Sequence, residues 1–105
     1  MKFSDAEFLT RLPLPANEKW KEGVWDVEPF KKDGVSLVFF ASHGKDYQNS
    51  HDKDEFYFIV RGMGDIVIGN ERSSFTPGDV LFVAAGVPHH FETFSDDFAT
   101  WAIFF

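Results

Sequence analysis

The chain has 105 residues, which fits one domain with a single core. Its 10 basic and 17 acidic residues leave a net charge of −7, which disfavours nucleic acid or an anionic membrane as a partner. The absence of cysteine excludes disulfides, thiolate metal ligands and cysteine nucleophiles. No apolar run approaches the roughly 18 residues needed to span a bilayer, so we expect a cytoplasmic protein.

The first predicted element is a short helix that begins at about Asp5. Ser4 and Glu7 have the spacing of a capping box, and Phe3 and Phe8 have that of a hydrophobic staple. Pro13 and Pro15 end the helix. The segment 20–27 alternates weakly between apolar and polar residues, which predicts an edge strand or a strap over the core. Residues 1–34 are therefore interpreted as an N-terminal arm.

Short strands separated by Gly, Pro and Asp fill the rest of the chain. They are predicted at about 35–42, 55–61, 65–68, 72–75, 80–83, 89–94 and 98–105. A hairpin turn is predicted at Gly69-Asn70, and a type II turn at Thr76-Pro77-Gly78-Asp79. Seven or eight short strands in all, with one helix candidate, predict an all-β sandwich or small barrel over residues 35–105.

The strand at 55–61 has two different faces. Side chains alternate along a strand, so one face carries Glu55, Tyr57, Ile59 and Arg61, and the other carries Phe56, Phe58 and Val60. Glu55 is expected to point inward with a partner, because burying an unpaired carboxylate is costly. The alternative is a solvated carboxylate at the start of a strand.

Histidines occur close to Glu55 and again after the apolar run at 80–83. His51 lies four residues before Glu55, and a glycine-proline turn leads into His89 and His90. Two histidines and one carboxylate from separate strands can hold one face of a metal ion and leave positions open for water, oxygen or substrate. His90 has the wrong parity to join His89, and we assign it, with His43, to the surface or rim.

The spacing of these residues resembles the two motifs of the cupins, a family of small jelly-roll barrels. The first cupin motif ends in a histidine, a glutamate and a glycine, which His51, Glu55 and Gly62 match. The second contains two glycines and a histidine, which Gly78, Gly86 and His89 match. The resemblance covers roughly residues 35–105 and implies a double-stranded jelly-roll β-barrel with a short N-terminal helix.

The sequence departs from the cupin pattern at a few positions. Asn49 stands where the family has the first histidine of its His-x-His pair, Ala84 replaces a proline, and Thr93 replaces a frequent asparagine. The nearest candidate for the opening glycine of the first motif is Gly44. An amide oxygen is a weaker and harder donor than imidazole, so Asn49 either ligates a hard ion loosely or binds a metal-bound water.

The resemblance implies a set of site residues. His51, Glu55 and His89 match three of the usual four metal ligands, and Asn49 is the possible fourth. The metal would be divalent, with iron, manganese, nickel and zinc as candidates. The pocket lining is predicted from parity as Tyr57, Phe91 and Trp101, with an ordinary core role as the alternative for each.

Two functional classes stay open. One is a metal-dependent enzyme with the oxygenase, isomerase or cyclase chemistry that cupins often carry. The other is a non-catalytic binding or sensor module for a small molecule, with a degenerate metal site. The intact set of two histidines and a carboxylate favours the first class, whereas Asn49 favours the second, since three ligands hold a metal less tightly than four.

Two strands carry apolar residues on both faces. In the strand at 55–61, Phe56, Phe58 and Val60 lie on the face opposite Glu55. In the strand at 35–42, Val38 and Phe40 lie on the face opposite Leu37 and Phe39. Only one face of each strand can line the interior of a thin barrel. The sequence, which contains 14 Phe residues, therefore predicts a homodimer formed through sheet surfaces.

Overall fold

The computed structural model describes residues 1–13, 15, 26–41 and 52–105. In these ranges the chain forms one short helix and eight strands: α1 (Asp5–Leu9), β1 (Asp26–Lys32), β2 (Val35–Phe40), β3 (Glu55–Arg61), β4 (Gly64–Ile68), β5 (Glu71–Phe75), β6 (Val80–Val83), β7 (His89–Glu92) and β8 (Ala99–Phe104). The predicted all-β class with a short N-terminal helix is confirmed. Most of the strand predicted at 20–27 lies outside the described residues, and β1 runs on to Lys32.

The strands form two antiparallel sheets that enclose one core. The larger sheet has the order β1-β2-β8-β3-β6, and the smaller has the order β5-β4-β7. The main core cluster draws side chains from both sheets, namely Phe40, Tyr57, Ile59, Val83 and Ala102 from the larger and Ile66, Phe75 and Phe91 from the smaller, with Phe98 between β7 and β8. Two sheets closed over one apolar interior are the jelly-roll architecture that the sequence predicts.

The alternation predicted for β3 is confirmed. Glu55, Tyr57 and Ile59 are buried, whereas Phe58 on the opposite face is exposed. Gly62, the residue after the strand, has a φ of +80°, and a Cβ there would lie 2.6 Å from the Cα of Phe98. A side chain at position 62 would therefore clash with backbone as well as require a left-handed conformation.

The helix α1 covers part of the outer face of the larger sheet. The ring of Phe8 lies 6.2 Å from that of Phe39 on β2 and 5.7 Å from that of Trp101 on β8. The predicted staple is present, since the rings of Phe3 and Phe8 are 6.5 Å apart. The helix therefore packs on the barrel through apolar side chains.

The predicted capping box at the start of α1 is wrong. Ser4 occupies the N-cap position, but its side chain makes no capping hydrogen bond. Glu7 does not reach back to Ser4 because its carboxylate pairs at 2.6 Å with Arg11, one turn further along. The helix is instead tied to the barrel by Asp5, which accepts a hydrogen bond from Arg61 at 3.0 Å.

The predicted turns are also confirmed, and β2 is covered on both faces. β4 and β5 are joined at Gly69-Asn70, and the amide of Asp79 donates to the carbonyl of Thr76 at 3.1 Å. Phe39 and Phe40, neighbours with opposite orientations on β2, are both buried. The described part of the chain contains no helix that is long and apolar enough to cross a membrane.

Candidate metal centre

Glu55 and His89 meet inside the barrel. Glu55 is the first residue of β3 in the larger sheet, and His89 is the first residue of β7 in the smaller sheet. Both side chains are only 1% exposed, and His89 Nε2 lies 3.1 Å from Glu55 Oε1. The fold therefore brings together two predicted metal ligands that are 34 positions apart in the sequence (89 − 55).

A tight turn before β7 delivers His89 to the interior. The amide of Val87 donates to the carbonyl of Ala84 at 3.2 Å, and Gly86 within this turn has a φ of +79°. Because left-handed backbone is rarely adopted by other residues, the glycine allows the chain to reverse before the histidine.

Asp54 fixes this turn against the start of β3, a role that sequence reasoning missed. Its Oδ1 accepts a hydrogen bond from the Ala85 amide at 2.8 Å, and its carbonyl accepts one from the Phe105 amide at 3.0 Å. The residue next to Glu55 therefore holds the loop that carries His89. The only signal in the sequence is its position beside Glu55, since an aspartate before a strand is also typical of a solvated loop.

The hydrogen bonds of His89 define the proton on its ring. His89 Nδ1 lies 3.0 Å from the carbonyl oxygen of Val87, which can only accept, so Nδ1 carries a proton. In the neutral ring Nε2 then has a lone pair. This lone pair faces Glu55 Oε1 and also lies within 3.2 Å of the hydroxyl of Tyr57.

The carboxylate of Glu55 receives no hydrogen bond from the residues that the structure describes. The 3.1 Å contact with His89 Nε2 has the distance of an ion pair, but it lacks the geometry of a hydrogen bond. We interpret it as two acceptor atoms that face each other, because Nδ1 holds the proton of the neutral ring. A buried carboxylate without a donor is costly, and a cation between the two atoms would remove the cost.

The geometry of this pair fits a divalent metal. Ligand atoms at about 2.0–2.2 Å from a metal and at right angles to each other are about 3 Å apart, close to the 3.1 Å observed here. A carboxylate oxygen and an imidazole nitrogen are also the donors of sites with two histidines and one carboxylate.

The other two predicted ligands, His51 and Asn49, lie outside the described residues, as does His43. Accordingly, no group of three potential ligands from His, Cys, Asp and Glu comes together within the described ranges. The structure brings together Glu55 and His89, and the rest of the ligand set stays a prediction.

Tyr57 and Phe91, two of the three predicted pocket residues, lie in the interior beside His89. The rings of Tyr57 and Phe91 meet edge to face at 4.9 Å, and that of Tyr57 is 6.1 Å from His89. Both residues are buried. They form an aromatic wall next to the candidate metal centre.

Trp101 does not line the interior beside His89, and the alternative of an ordinary packing role describes it instead. Its ring packs 4.8 Å from that of Phe39 in the cluster under α1, on the outer face of the larger sheet. The reason is the register between β3 and β8, in which Trp101 is paired with the outward Phe58 and Ala102 is paired with the inward Tyr57. Ala102 takes the interior position expected for the tryptophan.

His90 points away from the candidate metal centre, as predicted. Its Nε2 donates to Glu92 Oε1 at 2.6 Å on the outer face of the smaller sheet. Arg72 pairs with the same carboxylate and with Asp65. The hydrogen bond from His90, followed by that from Arg72, lowers the pKa of Glu92 below its ordinary value.

Comparison with known proteins defines the family. Residues 36–105 match the family model described as the cupin domain. An uncharacterised protein of Streptomyces coelicolor is 39% identical over 70 residues, which are 67% of each chain. The chain belongs to the cupin family.

Solved structures support the same fold. A cupin 2 conserved barrel domain protein from Salinispora arenicola superposes with a TM-score of 0.65 at 17% identity, covering 76% of this chain and 73% of that one. KdgF from Halomonas sp. superposes with a TM-score of 0.66 at 16% identity, covering 75% of this chain and 76% of that one. Similarity at these identities establishes the barrel alone.

Proposed function

We propose that this chain is a divalent-metal-binding cupin that binds or acts on a small molecule inside its barrel. The supporting observation is the buried carboxylate of Glu55, which has no hydrogen-bond donor among the described residues and faces the lone pair of His89 Nε2 at 3.1 Å. His51 would complete the set of two histidines and one carboxylate, and Asn49 would be a weaker fourth ligand. Iron, manganese, nickel and zinc are the candidate metals.

The residues around the centre suggest how the site would be used. A bound divalent metal would supply a Lewis acid that polarises an oxygen of the small molecule. Glu55 and His89 would fix the metal from opposite sheets, each held by its own strand. The aromatic wall of Tyr57 and Phe91 would exclude water from one side and offer ring surface to an apolar part of the ligand.

The metal site is tested by comparing two neighbouring histidines. We expect His89→Ala to weaken Zn²⁺ binding at least tenfold, because it removes an imidazole ligand, while His90→Ala leaves the affinity unchanged. Zinc affinity is measured by chelator competition, and circular dichroism verifies that both variants fold. Equal affinities in the wild type and His89→Ala would contradict the proposal, as would a wild type that takes up no metal.

A non-catalytic binding or sensor cupin is the second candidate, and Asn49 is the observation that favours it. Screening small molecules by thermal shift, with and without Zn²⁺, separates the two. An enzyme of the proposed type should bind its substrate in a metal-dependent way and turn it over. A sensor should bind its ligand and release it unchanged.

A further inference from the structure

We propose that the hydroxyl of Tyr57 competes with the metal for His89 Nε2. In the metal-free protein Tyr57 would occupy the lone pair of the histidine, and metal binding would displace the hydroxyl. This inference rests on the metal site proposed above. It gives Tyr57 a specific role in place of a general position in the pocket wall.

The first step in the argument is the direction of the hydrogen bond between Tyr57 and His89. The tyrosine oxygen lies 3.2 Å from Nε2, and both side chains are buried. Because Nδ1 donates to the Val87 carbonyl, Nε2 of the neutral ring is an acceptor. The hydroxyl of Tyr57 is therefore the donor.

The second step is that one lone pair cannot serve two partners. A metal bound by His89 must use Nε2, since Nδ1 is protonated and engaged with Val87. Nε2 is also the atom that faces Glu55 Oε1, the other ligand. Metal binding must therefore break the hydrogen bond from Tyr57.

The third step concerns the released hydroxyl. Tyr57 lies two positions from Glu55 on the same face of β3, and its ring is held by an edge contact with Phe91 at 4.9 Å. The ring therefore stays beside the metal centre after the hydrogen bond breaks. Its hydroxyl then becomes a donor for an oxygen of the small molecule in the site.

The first test is the metal affinity of Tyr57→Phe. Removing the competing hydrogen bond should tighten Zn²⁺ binding by about two- to tenfold, the equivalent of one ordinary hydrogen bond. Thr100→Val is the matched control, since it deletes another fully buried hydroxyl, which donates to the Phe58 carbonyl at 2.9 Å. The control should bind Zn²⁺ like the wild type.

The sign of the change separates competition from other roles. A tyrosine that ligates or supports the metal would give weaker binding in Tyr57→Phe. Weaker or unchanged binding in Tyr57→Phe would overturn the inference. Tightening of similar size in Thr100→Val would overturn it as well, because the effect would then not be specific to His89.

The second test measures directly whether the Tyr57 hydroxyl donates a hydrogen bond. The chain has two tyrosines, so in a Tyr47→Phe background all the tyrosine signal comes from Tyr57. The tyrosine doublet in ultraviolet resonance Raman spectra reports whether the hydroxyl donates a hydrogen bond. The signal of a hydroxyl that donates to imidazole should be seen without metal and should change as Zn²⁺ is added.

The outcomes distinguish this inference from the proposed function. If the wild type binds Zn²⁺ through His89 and the Tyr57 signal does not change, the competition between Tyr57 and the metal is rejected. The proposed metal site is then still supported. If the wild type binds no Zn²⁺, both the proposed metal site and the competition are rejected.

Discussion

Thr93 adopts a backbone conformation that does not suit its side chain. Its φ is +46°, in the left-handed region, where β-branched residues are rarely found and where asparagine is several times more common. The cupin motif often has asparagine at this position. The residue after β7 therefore carries local strain in this chain.

We expect Thr93→Asn to stabilise the protein. Asparagine tolerates the left-handed region better, so the free energy of unfolding should rise by about 1 kcal/mol. Urea denaturation followed by circular dichroism measures the change. Thr10→Asn serves as a control, because Thr10 has an ordinary helical φ of −70° and should gain nothing. A decrease in stability for Thr93→Asn would show that other contacts of Thr93 outweigh the strain.

Individual residues also show what the sequence could predict about the site. The inward position of Glu55 and Tyr57 was predictable, because the period of two residues along a strand is a local signal. The partner expected for Glu55 is not found among the described residues. The outward position of Trp101 was not predictable, because it depends on the register that β8 adopts against β3. Asp54 was missed because its partner, Ala85, lies 31 positions away.

At the level of elements, α1 depends on its contacts with the barrel. A helix of five residues has little stability of its own. It is held by the burial of Phe8 against Phe39 and Trp101 and by the ion pair between Asp5 and Arg61. Since the ion pair is partly exposed, the apolar contact should contribute most.

We expect Phe8→Ala to lower the free energy of unfolding by about 3 kcal/mol, because it deletes a buried ring. Glu7→Gln is the control, since it breaks only the exposed pair with Arg11 and should cost less than about 0.5 kcal/mol. Thermal and urea denaturation measure both. If Phe8→Ala were as stable as Glu7→Gln, the helix would contribute little to the fold.

The boundaries of most elements followed from the sequence, since turns and alternating patterns are local signals. The order of strands did not, because β8 lies between β2 and β3, and β7 pairs with β4 in the other sheet. These paired strands are distant in the sequence, and their pairing depends on how the two sheets pack around the core. The capping box failed for a local reason, namely competition from Arg11 for Glu7.

At the scale of the whole molecule, the described residues cover the outer face of the larger sheet only in part. α1 covers the side formed by β2 and β8, where Phe39 is buried. Around β3 and β6 an apolar, mostly aromatic patch lies at the surface, and its most exposed members are Phe58, Val80, Phe82 and Phe105. Phe56 packs within this patch against Phe82 and Phe105.

We propose that this patch is the surface of the homodimer predicted from the sequence. The outer face of β2, which the sequence also predicts as apolar, is occupied by the chain's own helix. Exposed aromatic patches on a sheet are typical of protein interfaces. A second copy of the chain is the occupant that the alternating apolar faces predict.

Phe82→Glu should disrupt this dimer, because it places a charge at the centre of the patch. Sedimentation at micromolar concentration should give twice the 12.0 kDa chain mass for the wild type and a single chain mass for Phe82→Glu. Ser73→Glu, on the exposed strand β5 of the other sheet, is the control and should remain a dimer. A monomeric wild type would contradict the proposal.

The proposed metal centre is tested most directly by anomalous scattering from crystals grown with Zn²⁺. We expect a peak inside the barrel at about 2.0–2.2 Å from both a Glu55 carboxylate oxygen and His89 Nε2. Such a peak would also show which of His51 and Asn49 completes the ligand set. The contrary result is a crystal grown with Zn²⁺ that shows no peak at this position and has a direct hydrogen bond between Glu55 and His89. This result would contradict the assignment of these two residues as metal ligands.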